Sequence, residues 1–204
     1  MLDAGHQARA DLTKEPNGPN STEMKARVSG GTKGTTTGVY EYELTLEIAW
    51  LLKAELENRG YTVLMTRESH EVNISNSERA IMANEANADI SVRIHVNGDG
   101  NSSANGAETL APSEGNAYVS AIAQESQKLS KAVIDAYCNS TGMRNRGVKL
   151  RDDMTGMNWS EIPVTIIELG FMSNPTDDTN MQHDAYQEKM VTGIANGIDD
   201  YFGQ

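Results

Sequence analysis

Pro163-Val164-Thr165-Ile166-Ile167-Glu168 is the stretch that decides how this chain folds. Four β-branched residues in succession favour extended backbone. An unbroken apolar run, without polar alternation, marks a strand covered on both faces, as in parallel sheets flanked by helices. Working outward, Ala88-Asp89-Ile90-Ser91-Val92-Arg93-Ile94 reads as a second strand and Tyr61-Thr62-Val63-Leu64-Met65 as a third. Helical stripes lie between them. Glu43 to Asn58 carries Leu44, Ile48, Leu51, Leu52 and Leu56 and stops before Gly60. Ser75-Asn76-Ser77-Glu78 is a capping box that opens a helix to about Asn87. Val119 to Gly142 repeats at helical spacing, and a last helix carries Met190, Ile194, Ile198 and Tyr201. This alternation predicts a single α/β domain, a mostly parallel twisted sheet with helices on both faces.

The chain has 204 residues and 38% hydrophobic content, enough for one well-buried core. Its 17 basic and 29 acidic residues give a net charge of −12, so a nucleic-acid partner is not expected. No apolar run is long enough to span a membrane. The one cysteine, Cys138, falls in the apolar phase of its helix with Ile134 and reads as a core residue. The segment from Gln7 to Val39 is polar, holds Pro16 and Pro19, and lacks apolar periodicity, so it reads as one long loop insertion within the domain. Only Met1 and Leu2 precede Asp3-Ala4-Gly5-His6. The first strand is therefore expected to belong to a longer chain, with any export signal upstream.

Ligands in open α/β sheets gather at the carboxyl ends of the strands. His6, His95 and Glu168 fall at such ends, and Glu41 opens the first helix nearby. Two imidazoles and a carboxylate make a catalytic zinc shell, and a further carboxylate can act as general base. Each of these positions also has an ordinary reading, since strand-end histidines commonly serve as loop residues bonded to backbone. The run from Asn97 to Glu108 mimics a calcium loop, but its turn position holds Ser102 where glycine is required.

The blocks LDAGH (2–6), GVYEYELTLEIAWLLKAELENRGYTVLMTR (38–67), SERAIMANEANADISVRIHVN (77–97), RGVKL (146–150) and IPVTIIELGFMSNPTDD (162–178) resemble, in order, the zinc-dependent N-acetylmuramoyl-L-alanine amidases of the type 3 group. That resemblance spans essentially the whole chain. It implies one zinc ion held by His6, Glu41 and His95, with Glu168 as the catalytic glutamate. Glu43 is the rival for the helix ligand. It implies hydrolysis of the amide between the lactyl group of N-acetylmuramic acid and L-alanine in peptidoglycan, outside the cytoplasm. A zinc peptidase acting within the stem peptide and a catalytically silent wall-binding module are the alternatives. Targeting would come from a separate wall-binding domain or an activator. Arg144 and Arg146 are candidates for the stem-peptide carboxylates, Asn97 for orienting a ligand and Trp159 for stacking on a sugar. Their ordinary readings are exposed charge, a turn and a cap on the core.

The chain departs from the family pattern at three places. Gln7 follows His6 where a second glycine is usual, and residues 7–40 separate His6 from Glu41, an insertion read as a wall or lid of the substrate groove. Self-blocked members carry a helix before the catalytic glutamate. Here Asn97 to Tyr118 is polar and Gly/Ser-rich, so access is expected to be constitutive. Arg93 replaces a small polar residue and needs a partner or a wet face.

Overall fold

The β-branched run around Ile166 forms the middle strand of a five-stranded sheet. The computed structural model describes residues 1–204. In chain order the elements are β1 (Leu2–Ala4), β2 (Asp11–Pro16), β3 (Met24–Val28), α1 (Glu41–Asn58), α2 (Asn76–Glu85), β4 (Ser91–Asn97), β5 (Ala107–Ala111), α3 (Ala123–Thr141), β6 (Asn145–Leu150), α4 (Thr155–Asn158), β7 (Val164–Phe171), α5 (Pro175–Asn180) and α6 (Asp184–Phe202). The sheet order is β1-β4-β7-β5-β6. β1, β4 and β7 run parallel, β5 is antiparallel to β7, and β6 is parallel to β5. The expected architecture is observed.

The pleat sends alternate residues to two different layers. Val92, Ile94 and Val96 of β4 and Ile167 and Leu169 of β7 join the main core, packed with Leu44, Ile48 and Leu52 of α1, Leu129 and Val133 of α3 and Ile194 and Ile198 of α6. On the other face Leu110, Met157, Val164 and Ile166 form a smaller cluster. That face is covered by α2 and α4, with β3 against α2. The same pleat sends Asp3, Arg93, His95 and Glu168 to this thinner side. Leu51 departs from the expected stripe and is exposed. Cys138 is buried, and burial pushes its thiol up to about 11.

Two expectations are corrected, and a further segment holds a strand that the sequence pattern does not show. Gln7 to Val39 is not one loop, because β2 and β3 pair as an antiparallel hairpin within it. Polar contacts hold that hairpin: Arg27 bridges Asp11 and Glu78, the Asn76 amide donates to Arg27 O, and Trp159 Nε1 donates to Pro16 O. A segment anchored this way carries no apolar period to read. Tyr61 to Met65 is not a strand. β1 is three residues long, and Met65 meets it at a single bridge with Leu2. Asn97 to Tyr118 contains β5, a fully buried strand whose Glu108 and Thr109 disguise it in the sequence.

Candidate metal centre

Three segments distant in sequence converge at the carboxyl ends of β1 and β4. Leu2–Ala4 delivers His6, and β4 delivers His95. The first turn of α1 delivers Glu41, which is buried. His6 Nε2 lies 3.1 Å from Glu41 Oε1. His95 Nδ1 lies 3.2 Å from the same oxygen and 3.2 Å from His6 Nε2. Three ligand atoms so nearly equidistant match the ~3.3 Å edge of a tetrahedron with zinc-ligand bonds of about 2.0–2.1 Å. The group is able to hold a metal ion. His95 Nε2 and Glu168 Oε2 are also buried without partners, and leaving such atoms unmet costs about 1–3 kcal/mol each. The donor set and its spacing fit a zinc ion, while the two unmet atoms, the second ring nitrogen of His95 and an oxygen of Glu168, lie outside that donor set.

The surrounding backbone fixes the triad. Glu41 Oε1 accepts from Val96 N at 3.0 Å, and Glu41 Oε2 accepts from Thr32 N at 2.8 Å. Glu43 does other work, accepting from Tyr40 N at 2.9 Å across the start of α1. His6 sits at φ 61°, a left-handed conformation uncommon outside glycine. A Cβ on Gly5 would lie 2.5 Å from the His95 ring, so only glycine lets the two histidines approach. Burial alone would lower His6, but the hydrogen bond and charge of Glu41 reverse it and its pKa is raised. Burial lowers the pKa of His95, against the hydrogen bond and charge of Glu41. Burial would raise Glu41, yet hydrogen bonds from His6 and His95 hold its carboxyl well below the usual range.

Glu168 pairs across the sheet with His95 on one side and Glu108 on the other. Burial, then the charges of Glu41 and Glu108, push it up to about 8. Such a carboxyl is suited to take and return a proton near neutral pH.

The remaining candidates separate. Asn97 lines the cavity beside the triad, and its amide donates to Glu108 Oε1 at 3.2 Å. Arg146 is committed to Glu108 Oε2 at 2.9 Å and lies over the Phe171 ring. Arg144 is exposed in a separate depression beside Asn105 and Asp177. Trp159 is half-buried and anchors the hairpin through Pro16 O. The calcium-like run is dispersed, with Glu108 held in β5. Sequence reasoning missed Asp3, Arg67 and Arg79, charged residues buried behind His6. Arg93 was their only visible sign, and Asp3 is the partner it required, at 2.7 Å.

The sequence profile of the family described as N-acetylmuramoyl-L-alanine amidase matches residues 1–200. An uncharacterised Bacillus subtilis protein, YqiI, is 30% identical over 82% of this chain and 77% of its own length. The B. subtilis N-acetylmuramoyl-L-alanine amidase LytC is 28% identical over 81% of this chain, which spans 32% of LytC. Among solved structures, the N-acetylmuramyl-L-alanine amidase Ami1 of Mycobacterium smegmatis superposes with a TM-score of 0.88 at 26% identity, covering 99% of this chain and 95% of Ami1.

Proposed function

Because the chain belongs to the N-acetylmuramoyl-L-alanine amidase family, we propose that it is a zinc-dependent hydrolase cutting the bond between the lactyl group of N-acetylmuramic acid and L-alanine. The observation that carries this reading is the meeting of His6, Glu41 and His95 beside a Glu168 whose carboxyl is raised to about 8. His6, Glu41 and His95 would hold one zinc ion. When bound, zinc supplies Lewis acidity that polarises the scissile carbonyl and lowers the pKa of water.

The chain's own groups do the rest. Glu168 takes a proton from the attacking water and returns it to the departing amine of L-alanine. An amine expelled without that proton would be a very poor leaving group. Val96 N and Thr32 N hold the Glu41 carboxylate, so the helix ligand keeps its orientation through the reaction. The enzyme acts outside the cytoplasm, where its peptidoglycan substrate lies. No helix is long and apolar enough to cross a membrane.

Digestion of purified peptidoglycan with and without a chelator tests this, read by mass spectrometry of the soluble products. Intact stem peptides with a free L-alanine amino terminus are expected, lost on chelation and restored by zinc. Glu168→Gln should cut turnover by roughly 10²–10⁴-fold while retaining zinc. Shortened stems still attached to muramic acid would instead identify a peptidase. No release from zinc-loaded protein would identify a binding module and overturn the reading.

A further inference from the structure

Two cavities of different chemistry share His6, Ser29, His95 and Glu168 in their walls. One, of about 480 Å³, is walled by Thr32, Lys33, Asn97, Asp99 and Ser173, with Val96 its single hydrophobic residue. The other, of about 360 Å³, lies between the β2–β3 hairpin and α4 and has Leu110, Ile166 and Met154 among its lining residues. Lys25 of β3 and Asp153 also line it.

The substrate of the amidase reading divides at the scissile bond in the same manner. Its sugar half is dense in hydroxyl and acetamido groups. Its peptide half begins with a methyl side chain and continues to a residue that carries a free α-carboxylate. Resting on that reading, we propose that the stem peptide occupies the cavity beneath the hairpin, its alanine methyl against Leu110 and Ile166 and its second-residue carboxylate met by Lys25.

Lys25 is the cation free to do this. Arg93 also lines the cavity, but its guanidinium is buried and bonded to Asp3 and Asn76. Arg146 is held by Glu108. Arg151 forms two 2.8 Å bonds to Asp153, which offsets the charge of that lining carboxylate. Lys25 meets only Glu23, at 2.7 Å, in a pair whose side chains are 36% and 55% exposed. An exposed pair of that kind contributes little, so a substrate carboxylate can displace Glu23 from the ammonium. The hairpin thereby brings a weakly paired cation to a cavity whose arginines are otherwise engaged.

The test uses the zinc-loaded full chain and two synthetic muramoyl-peptides, alike except that the second residue carries a free α-carboxylate in one and a carboxamide in the other. The wild type should show about a tenfold lower KM for the free acid, the worth of one charge-assisted contact. Lys25→Met should raise KM for the free acid about tenfold, leaving kcat for both substrates and KM for the amide unchanged. Lys25→Arg should restore discrimination, and Lys25→Glu should invert it. If Lys25→Met shifts both substrates alike, or neither, the peptide site is elsewhere and the proposal fails while the amidase reading stands. If the wild type releases peptide from neither substrate, both fall together.

Discussion

His6 carries more of the site than any other residue, because its ring and its backbone are fixed by different partners. Arg79 donates to His6 O at 3.0 Å, to Ala4 O at 2.8 Å and to Asp3 Oδ1 at 2.7 Å. Arg67 donates to Ala4 O at 2.9 Å and to Gly5 O at 3.0 Å. Three successive carbonyls of the turn are therefore held by two guanidiniums, which keep His6 in its left-handed conformation. Ser29 O, 3.0 Å from His6 Nδ1, sets the ring from the far side. Lysine cannot reproduce the planar fork. Arg79→Lys should therefore weaken zinc binding by about 10–100-fold, as loss of an outer-shell support does. Chelator competition on a variant of native circular dichroism would measure this, and unchanged affinity would show that the turn holds itself.

Helix packing behind the sheet depends on absent side chains. α6 lies against α3 so closely that a Cβ on Gly197 would sit 2.5 Å from Val133 Cα, and one on Gly193 would sit 2.7 Å from Tyr137 Cα. Backbone atoms cannot step aside as a flexible side chain can. Gly197→Ala should accordingly destabilise the domain by about 1–3 kcal/mol, the usual cost of overpacking, seen as a lower urea midpoint. The rest of that interface explains why α6 sits there. Met190, Ile194 and Ile198 are buried with Val133 and Tyr137 in the main core, and the Tyr137 hydroxyl donates to Leu169 O of β7 at 2.7 Å. Asp178 accepts from Thr36 N, Thr37 N and Thr37 Oγ1, which ties the glycine-threonine loop ahead of α1 to α5.

Across the whole molecule, one buried acid joins β1, β4 and α2. Asp3 is paired with Arg79 and with Arg93, both at 2.7 Å. Burial alone would raise its carboxyl, but the two arginine charges overcome that and hold it well below the usual carboxylate range. A folded-state pKa below the unfolded one contributes stability that is complete above the unfolded value, about 3.9, and is lost as pH falls below it. Asp3→Asn should thus cost on the order of 3–5 kcal/mol at pH 7, where it strands two buried cations. The difference from wild type should shrink as pH drops below about 4. Urea unfolding at pH 7 and pH 3 measures both values, and a pH-independent difference would assign the loss to packing instead.

By itself the sequence determined the alternation of helices with buried strands, since 3.6-residue stripes and β-branched runs are local signals of burial. It also made His6, Glu41, His95 and Glu168 legible, because strand ends converge in an open sheet and their flanking blocks carry a family resemblance. The capping box at Ser75 and Glu78 is likewise written in four adjacent residues and forms as read. Only the tertiary structure decided what depends on partners far away in the chain. The hairpin folds against α2 through ion pairs and amide contacts, β5 is recognisable only once its neighbours bury it, and Arg93 is acceptable only because Asp3 faces it. Arg144, Arg146 and Trp159 stand out in the sequence as candidate substrate contacts, whereas Lys25 does not. Where each lies relative to the cleft, and how firmly each is held, follows from distances that no local pattern encodes.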